Sequence, residues 1–199
     1  MSAPRIVEPI TLRGEFARLE PLCREHQAGL VDAVRDGELW KLWYTGVPEP
    51  GQMAAEIGRR LGLQAAGSML PFTVFDAADR IVGMTTYMNV DSTHQRVEIG
   101  STWYAASVQR TALNTQCKRL LLAHAFDTLD CIAVEFRTHR FNSASRRAIE
   151  RLGAQLDGIL RNHQRATNGT LRDTAVYSIT AAEWPTVRAH LDFQLSRQR

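Results

Sequence analysis

Apolar positions along the chain follow two rhythms. In "EHQAGLVDAVRD" and "GQMAAEIGRRLGLQAA" they recur every three or four residues, as in a helix that buries one face. In "LPFTVFD", "RIVGMTTYMNV" and "HQRVEIGSTWY", β-branched and aromatic residues crowd into short runs, which predicts three strands, the first two joined by a turn at "AAD". "ITLRGEFARLEPL" predicts an extended pair around Gly14. A helix from about Asn114 to Leu129 puts Cys117, Leu120, Leu121 and Ala125 on one face, ready to pack on a sheet. "CIAVEFRTH" is apolar enough for a central strand. "SASRRAIERLG" reads as a helix closed by Gly153. Asn168-Gly169 between two extended runs is a two-residue hairpin signal.

A last helix is expected from Thr180 to about residue 197, with Thr180 and Glu183 as a capping box and Pro185 in its first turns. Two helices, a meander of strands, helix, strand, helix and hairpin make one domain over residues 1–199. The class is α/β (α+β), with a mostly antiparallel mixed sheet flanked by helices, not a doubly wound one.

Composition narrows the function. The net charge is +3, and there is no basic run with interleaved aromatics, so no nucleic acid partner is expected; steeply salt-dependent binding to DNA or RNA would say otherwise. No apolar run could span a membrane, and "MSAPRIVEPITLRG" lacks the apolar block of a secretory signal, so a cytoplasmic location is expected. Cys23, Cys117 and Cys131 are odd in number and widely spaced, which argues against a disulfide framework. The six histidines show no ligand spacing, so no metal is expected. Lys41 and Lys118 are the sole lysines among 24 basic residues. Arginine suits phosphate, but a codon bias toward arginine is the readier explanation of the excess.

"SVQRTALNTQCKRLLLAHAF" is a loop entering a helix after the strand "GSTWY". The free amides and dipole of such a helix start favour an anion, although every α/β protein has similar junctions. The succession "VEIGSTWY", "QRTALNTQCKRLLLAHAF", "VEFRTHRFNSASRRAIERLGAQLDGIL" and "RDTAVYSI" resembles the GCN5-related N-acetyltransferase (GNAT) superfamily, in particular its ribosomal-protein N-terminal acetyltransferase (RimJ/RimL-like) branch. The resemblance runs from about Ile10 to Trp184 and is most specific from Glu98 to Gly153.

That resemblance implies a GNAT fold with a splayed pair of parallel strands, here "RVEIGSTWY" and "CIAVEFRTH". It implies acetyl-CoA as cosubstrate, its pyrophosphate on a Q/R-x-x-G-x-G/A loop that reads Gln109, Arg110, Thr111, Ala112, Leu113 and Asn114, with Thr115 following. The backbone of Thr102, Trp103 and Tyr104 would pair with the arm of CoA like an added strand, with Asn142 nearby. Ala112 and Asn114 replace the expected small residues. A left-handed alanine costs on the order of 1 kcal/mol, so Ala112 is expected to keep a negative φ with its amide toward phosphate.

The implied reaction is transfer of acetyl to a primary amine, a protein N-terminus or a small amine, by direct attack in a ternary complex. At pH 7 an α-amino group costs about 1.4 kcal/mol to deprotonate and a lysine about 4.6 kcal/mol. Glu98 is the candidate base, with an ion-paired strand carboxylate as its plainer reading. Ser145 is the candidate acid, although Ser143 or Ser145 could simply cap the helix, and Tyr104 or Tyr177 would be substitutes. Trp40, Trp43 and Tyr44 are the candidate acceptor wall, or else core. Arg146, Arg147 and Arg151 read as phosphate contacts or a solvated helix face. No cysteine has a histidine partner for covalent catalysis. The alternative is a non-catalytic acyl-CoA-binding or regulatory module of the same fold. A homodimer through the C-terminal hairpin or last helix is compatible with the sequence.

Overall fold

The computed structural model describes residues 8–166 and 168–197; residues 1–7, 167, 198 and 199 lie outside them. The strands are β1 (Leu12–Arg13), β2 (Ala17–Pro21), β3 (Met69–Asp76), β4 (Ile81–Asp91), β5 (Arg96–Tyr104), β6 (Ala133–His139), β7 (Gln155–Arg165) and β8 (Leu171–Thr180). They form one sheet in the order β1-β2-β3-β4-β5-β6-β8-β7. The pair β5–β6 is parallel, and the other neighbours are antiparallel.

Helices cover both faces. The larger core joins the sheet to α3 (Ala112–Ala123) and α5 (Trp184–Ser196), with Phe72, Tyr87, Leu121 and Leu191 at its centre. A second core sets α1 (Gln27–Arg35) and α2 (Met53–Ala65) against Met84 and Trp103 through Leu30, Val34 and Ile57. Each such aliphatic side chain contributes about 1.5–3 kcal/mol by leaving water. Coverage of both faces explains why β3 is buried throughout and reads as a continuous apolar run rather than an alternating one. The hairpin is formed, with β7 as the exposed edge strand, but its turn is longer than the expected two residues, since the Ala166 amide donates to Thr170 O at 2.9 Å.

Two helix boundaries differ from the sequence expectation. α3 starts at Ala112, because Thr111 rather than a later residue caps it, and its regular part ends at Ala123 in a wider π-type turn over His124–Thr128. The last helix starts at Trp184, not Thr180. Glu183 does accept from the Thr180 amide and hydroxyl, both at 2.8 Å, but Thr180 stays in β8 and the box closes a turn ahead of the helix.

The feature that makes a site is the short reach of the parallel pair. β5 and β6 are in register only at Arg96↔Ala133, Val97↔Val134 and Glu98↔Glu135. Beyond Glu98, β5 runs on to Tyr104 paired with β4 alone, so its other edge opens toward a cleft. Within that stretch the register with β4 shifts, and Ser101 takes a left-handed φ of 48°. Such a bulge bends the strand and aims its backbone away from the regular ladder.

Candidate active site

A cavity of about 1480 Å³ follows the opened edge of β5. Glu98 lies at one end of it and Arg110 and Thr111 at the other. That volume exceeds a drug-sized pocket and suits a long ligand laid along the strand.

At the loop end, the anion cradle differs in detail from the expectation. Ala112 does keep a negative φ; the left-handed residue is Arg110, at 62°. The Thr111 hydroxyl donates to Val108 O (2.7 Å) and accepts from the Leu113 amide (3.3 Å). The Leu113 amide is therefore used by the cap, and its side chain lies in the core. Gln109 lines the cavity and folds back, its side-chain amide donating to Tyr104 O at 3.0 Å, so it ties the loop to the end of β5. The amides of Arg110, Thr111 and Ala112 have no acceptor among the described residues. Arg110, Asn114 and Thr115 line the cavity beside them, as do Arg147 and Arg151. The free amides of Arg110 and Thr111, on residues that line the cavity together with these arginines, fit a diphosphate, while Ala112 faces a smaller pocket beside Phe16 and Asp76.

Along β5, Thr102, Trp103 and Tyr104 line the cavity. The Tyr104 carbonyl is taken by Gln109, and the carbonyl of Ser101 accepts from Arg60 at 3.4 Å. Arg60 is 2% exposed, and it also donates to Glu56 (2.7 Å) and Thr86 (2.7 Å). It pins the bulge from behind. Lys118 is 6% exposed, its Nζ donating to Thr102 Oγ1 (2.9 Å) and Thr85 Oγ1 (3.2 Å); burial brings its pKa down to about 8. Neither residue was singled out as functional from sequence. For Lys118 a signal existed, a rare lysine on a helix face between Thr115 and Leu122.

At the other end, Glu98 is 5% exposed. Asn89 Nδ2 donates to its Oε2 at 2.7 Å, and Arg137 Nε stands 3.6 Å from the same oxygen. Burial raises its pKa, and the opposing pull of Asn89 and Arg137 does not cancel that effect. Gly100 makes the space: a Cβ there would lie 2.9 Å from Glu98 Oε1. The result is a buried carboxylate held in the cleft with a proton affinity above its ordinary value.

The remaining candidates separate. Tyr44 lines the cavity, while Trp40 packs against the smaller core and Trp43, 49% exposed, sits at the rim edge-on to His139 at 5.0 Å. Of the three candidate rings, Tyr44 alone is among the residues lining the cavity. Asn142 is the cap of α4 (Ser143–Glu150): its Oδ1 accepts from the Ser145 amide at 3.0 Å, so neither serine is the cap. The Ser145 hydroxyl, without a partner among the described residues, lines the cavity. Tyr177 is committed to Arg146 and Glu150, each at 2.8 Å, and lies in the core. The Tyr104 hydroxyl sits buried beside the Cys117 thiol without a hydrogen bond of normal geometry, and burial holds its pKa well above 10.

A family model described as "Acetyltransferase (GNAT) domain" matches residues 17–155. The chain belongs to the GNAT acetyltransferase family. Among solved structures, a GCN5-related N-acetyltransferase from Brucella melitensis is 28% identical, with a TM-score of 0.85 over 98% of this chain and 87% of that one. Mycobacterium smegmatis RimJ in complex with CoA-disulfide shares the fold at 22% identity (TM-score 0.80; 98% of each chain). So does an acetyl transferase from Salmonella typhimurium that modifies the N-terminal serine of a 50S ribosomal subunit protein, at 16% identity (TM-score 0.76; 86% of this chain and 99% of that one). No curated protein matches significantly. The protein is an acetyl-CoA-dependent N-acetyltransferase with the GNAT fold, its sheet split at the one parallel pair. Among the described residues no cluster could hold a metal ion, and no helix is long and apolar enough to cross a membrane.

Proposed function

We propose that this acetyltransferase moves acetyl from acetyl-CoA to a primary amine by direct attack in a ternary complex, as a RimJ/RimL-like member of its family. The observation that carries the reading is the placement of one buried carboxylate, Glu98, where β5 and β6 part, in a single cleft whose lining also includes Arg110 and Thr111 with their free amides. Acetyl-CoA supplies the activated acetyl thioester. The amides at the start of α3 bind its diphosphate, and the open edge of β5 from Thr102 to Tyr104 orients its arm.

Glu98 takes the proton of the incoming amine, directly or through one water, because its burial gives it the affinity to do so. The unpaired backbone of β5 stabilises charge on the carbonyl oxygen. Ser145 is the proton donor to the departing sulfur on position alone, since it lines the cavity with its hydroxyl free of a partner among the described residues, whereas Tyr177 is engaged by Arg146 and Glu150 and the Tyr104 hydroxyl is buried in the core. A covalent acyl-enzyme is disfavoured by the thiols themselves. Burial pushes Cys117 up to about 12 and Cys131 to about 11, so neither is a thiolate at neutral pH.

Thiol release from acetyl-CoA with a panel of peptide N-termini and small amines tests the reading. Release that requires an amine, with intersecting double-reciprocal lines, is expected. Tight binding of acetyl-CoA without release would favour the non-catalytic module.

A further inference from the structure

At the Glu98 end of the cleft the charges do not balance. Arg96 and Arg137 both engage Glu135, and Arg137 also approaches Glu98. Arg172, on β8, is half-buried and faces the same cavity. Its field lowers the proton affinity of Glu98, yet no carboxylate lies within ion-pair distance of it among the described residues. Its Nε donates to Thr174 Oγ1 at 3.2 Å, and its two terminal nitrogens have no partner among the described residues.

The other groups nearby do not supply the missing anion. Asp173, the next residue along β8, is taken by Arg161 (3.1 Å) and Arg140 (3.4 Å). His163 rests on the Thr174 hydroxyl at 3.1 Å, and Gln164, opposite Arg172 in the ladder, is neutral. Three arginines therefore face Glu98 and Glu135, leaving one positive charge in excess even when both carboxylates are ionised. A partly desolvated guanidinium with its fork free is a receptor for a carboxylate, which it can bind through two parallel N–H bonds. Burial of such a cation is costly until an anion arrives.

We propose that Arg172 recognises a carboxylate on the acceptor, so that the preferred acceptor is an amine with a carboxylate within a few bonds of its nitrogen. The inference rests on the reading of the Glu98 end as the acceptor end. The same chemistry is offered by a free amino acid and by an acidic first residue of a peptide, and the test separates these sources.

Two matched pairs are acetylated by the wild type and by Arg172→Gln: leucine against leucinamide, and the dipeptide amides Asp-Ala against Asn-Ala. The ratio of wild-type to variant kcat/KM is taken within each acceptor, which cancels differences in amine basicity. Losing a charged hydrogen-bond partner is expected to cost about 10- to 100-fold with the carboxylate member and less than about 3-fold with its amide. The Arg172→Lys variant, which keeps the charge without the fork, is expected in between. Dependence on Arg172 in the first pair alone identifies a free amino acid, and in the second alone a peptide. In parallel, N-acetylleucine is titrated with CoA present, a readout that needs no turnover. Weaker binding to the variant supports the carboxylate site even if no amine is acetylated, an outcome that would sink the transferase reading separately. Equal losses within both pairs overturn the proposal, as does equal affinity of N-acetylleucine for both proteins combined with no dependence on Arg172 in the second pair.

Discussion

Glutamine at position 98 keeps the shape of the side chain and an oxygen for Asn89 to donate to, while removing the only atom set that can accept a proton there. The site is 5% exposed, so water cannot fully substitute for the lost carboxylate. General bases contribute roughly 10²- to 10⁴-fold. With an α-amine, already about one-tenth deprotonated at pH 7, the low end applies, and Glu98→Gln is expected to lower kcat/KM about 10²-fold. Thiol release measured from pH 5 to pH 9 then carries the sign. Because the pKa of Glu98 is raised, wild-type activity falls as pH drops through that raised value, and the variant lacks this limb. Stability moves the other way. A folded carboxylate that holds its proton more tightly than the unfolded one costs stability as pH rises through the ordinary glutamate range, and the cost is complete above the folded pKa. Glu98→Gln should therefore melt at or above the wild-type temperature at pH 8, with the gap closing near pH 4. Unchanged turnover and an unchanged pH profile in a folded variant would refute the role.

Arg110→Gly relieves a left-handed residue and should raise stability by about 1 kcal/mol, a few degrees in the melting temperature, read by thermal denaturation. Arg60→Ala leaves Glu56, the Thr86 hydroxyl and the Ser101 carbonyl without their shared donor; it is expected to cost about 3 kcal/mol in urea unfolding and to raise the KM for acetyl-CoA through the loosened bulge. Lys118 has a pKa lowered to about 8, so the unfolded chain binds its proton more tightly and the lysine's cost to stability fades as pH rises from about 8 toward 10.5. The stability difference between Lys118→Met and wild type should narrow over that window in parallel denaturation curves, whereas a constant difference would contradict the burial of its charge.

Much of the architecture was legible in the chain. Short β-branched runs gave β3, β4, β5 and β6, and Asn168-Gly169 gave the hairpin, because those signals are local. The start of α5 was misplaced because a capping-box pattern closes equally well around a tight turn before a helix. Arg60, Lys118 and Arg172 escaped notice as site residues for a different reason. Their burial depends on strands and helices distant in sequence converging, and an arginine on a lone helix reads as a solvated face. The loop illustrates both cases: Ala112 kept its ordinary backbone as expected, while the strain moved to Arg110 and the cap to Thr111, a division of labour that no spacing rule encodes.

The proposed binding of acetyl-CoA depends on the start of α3 acting as a diphosphate site without glycine. A crystal structure of the protein with acetyl-CoA tests this directly. The diphosphate oxygens are expected about 2.7–3.2 Å from the amides of Arg110 and Thr111, with the pantetheine arm along Thr102 to Tyr104 and the thioester toward Glu98. A diphosphate bound elsewhere, or a loop closed over those amides with the cofactor excluded, would contradict it.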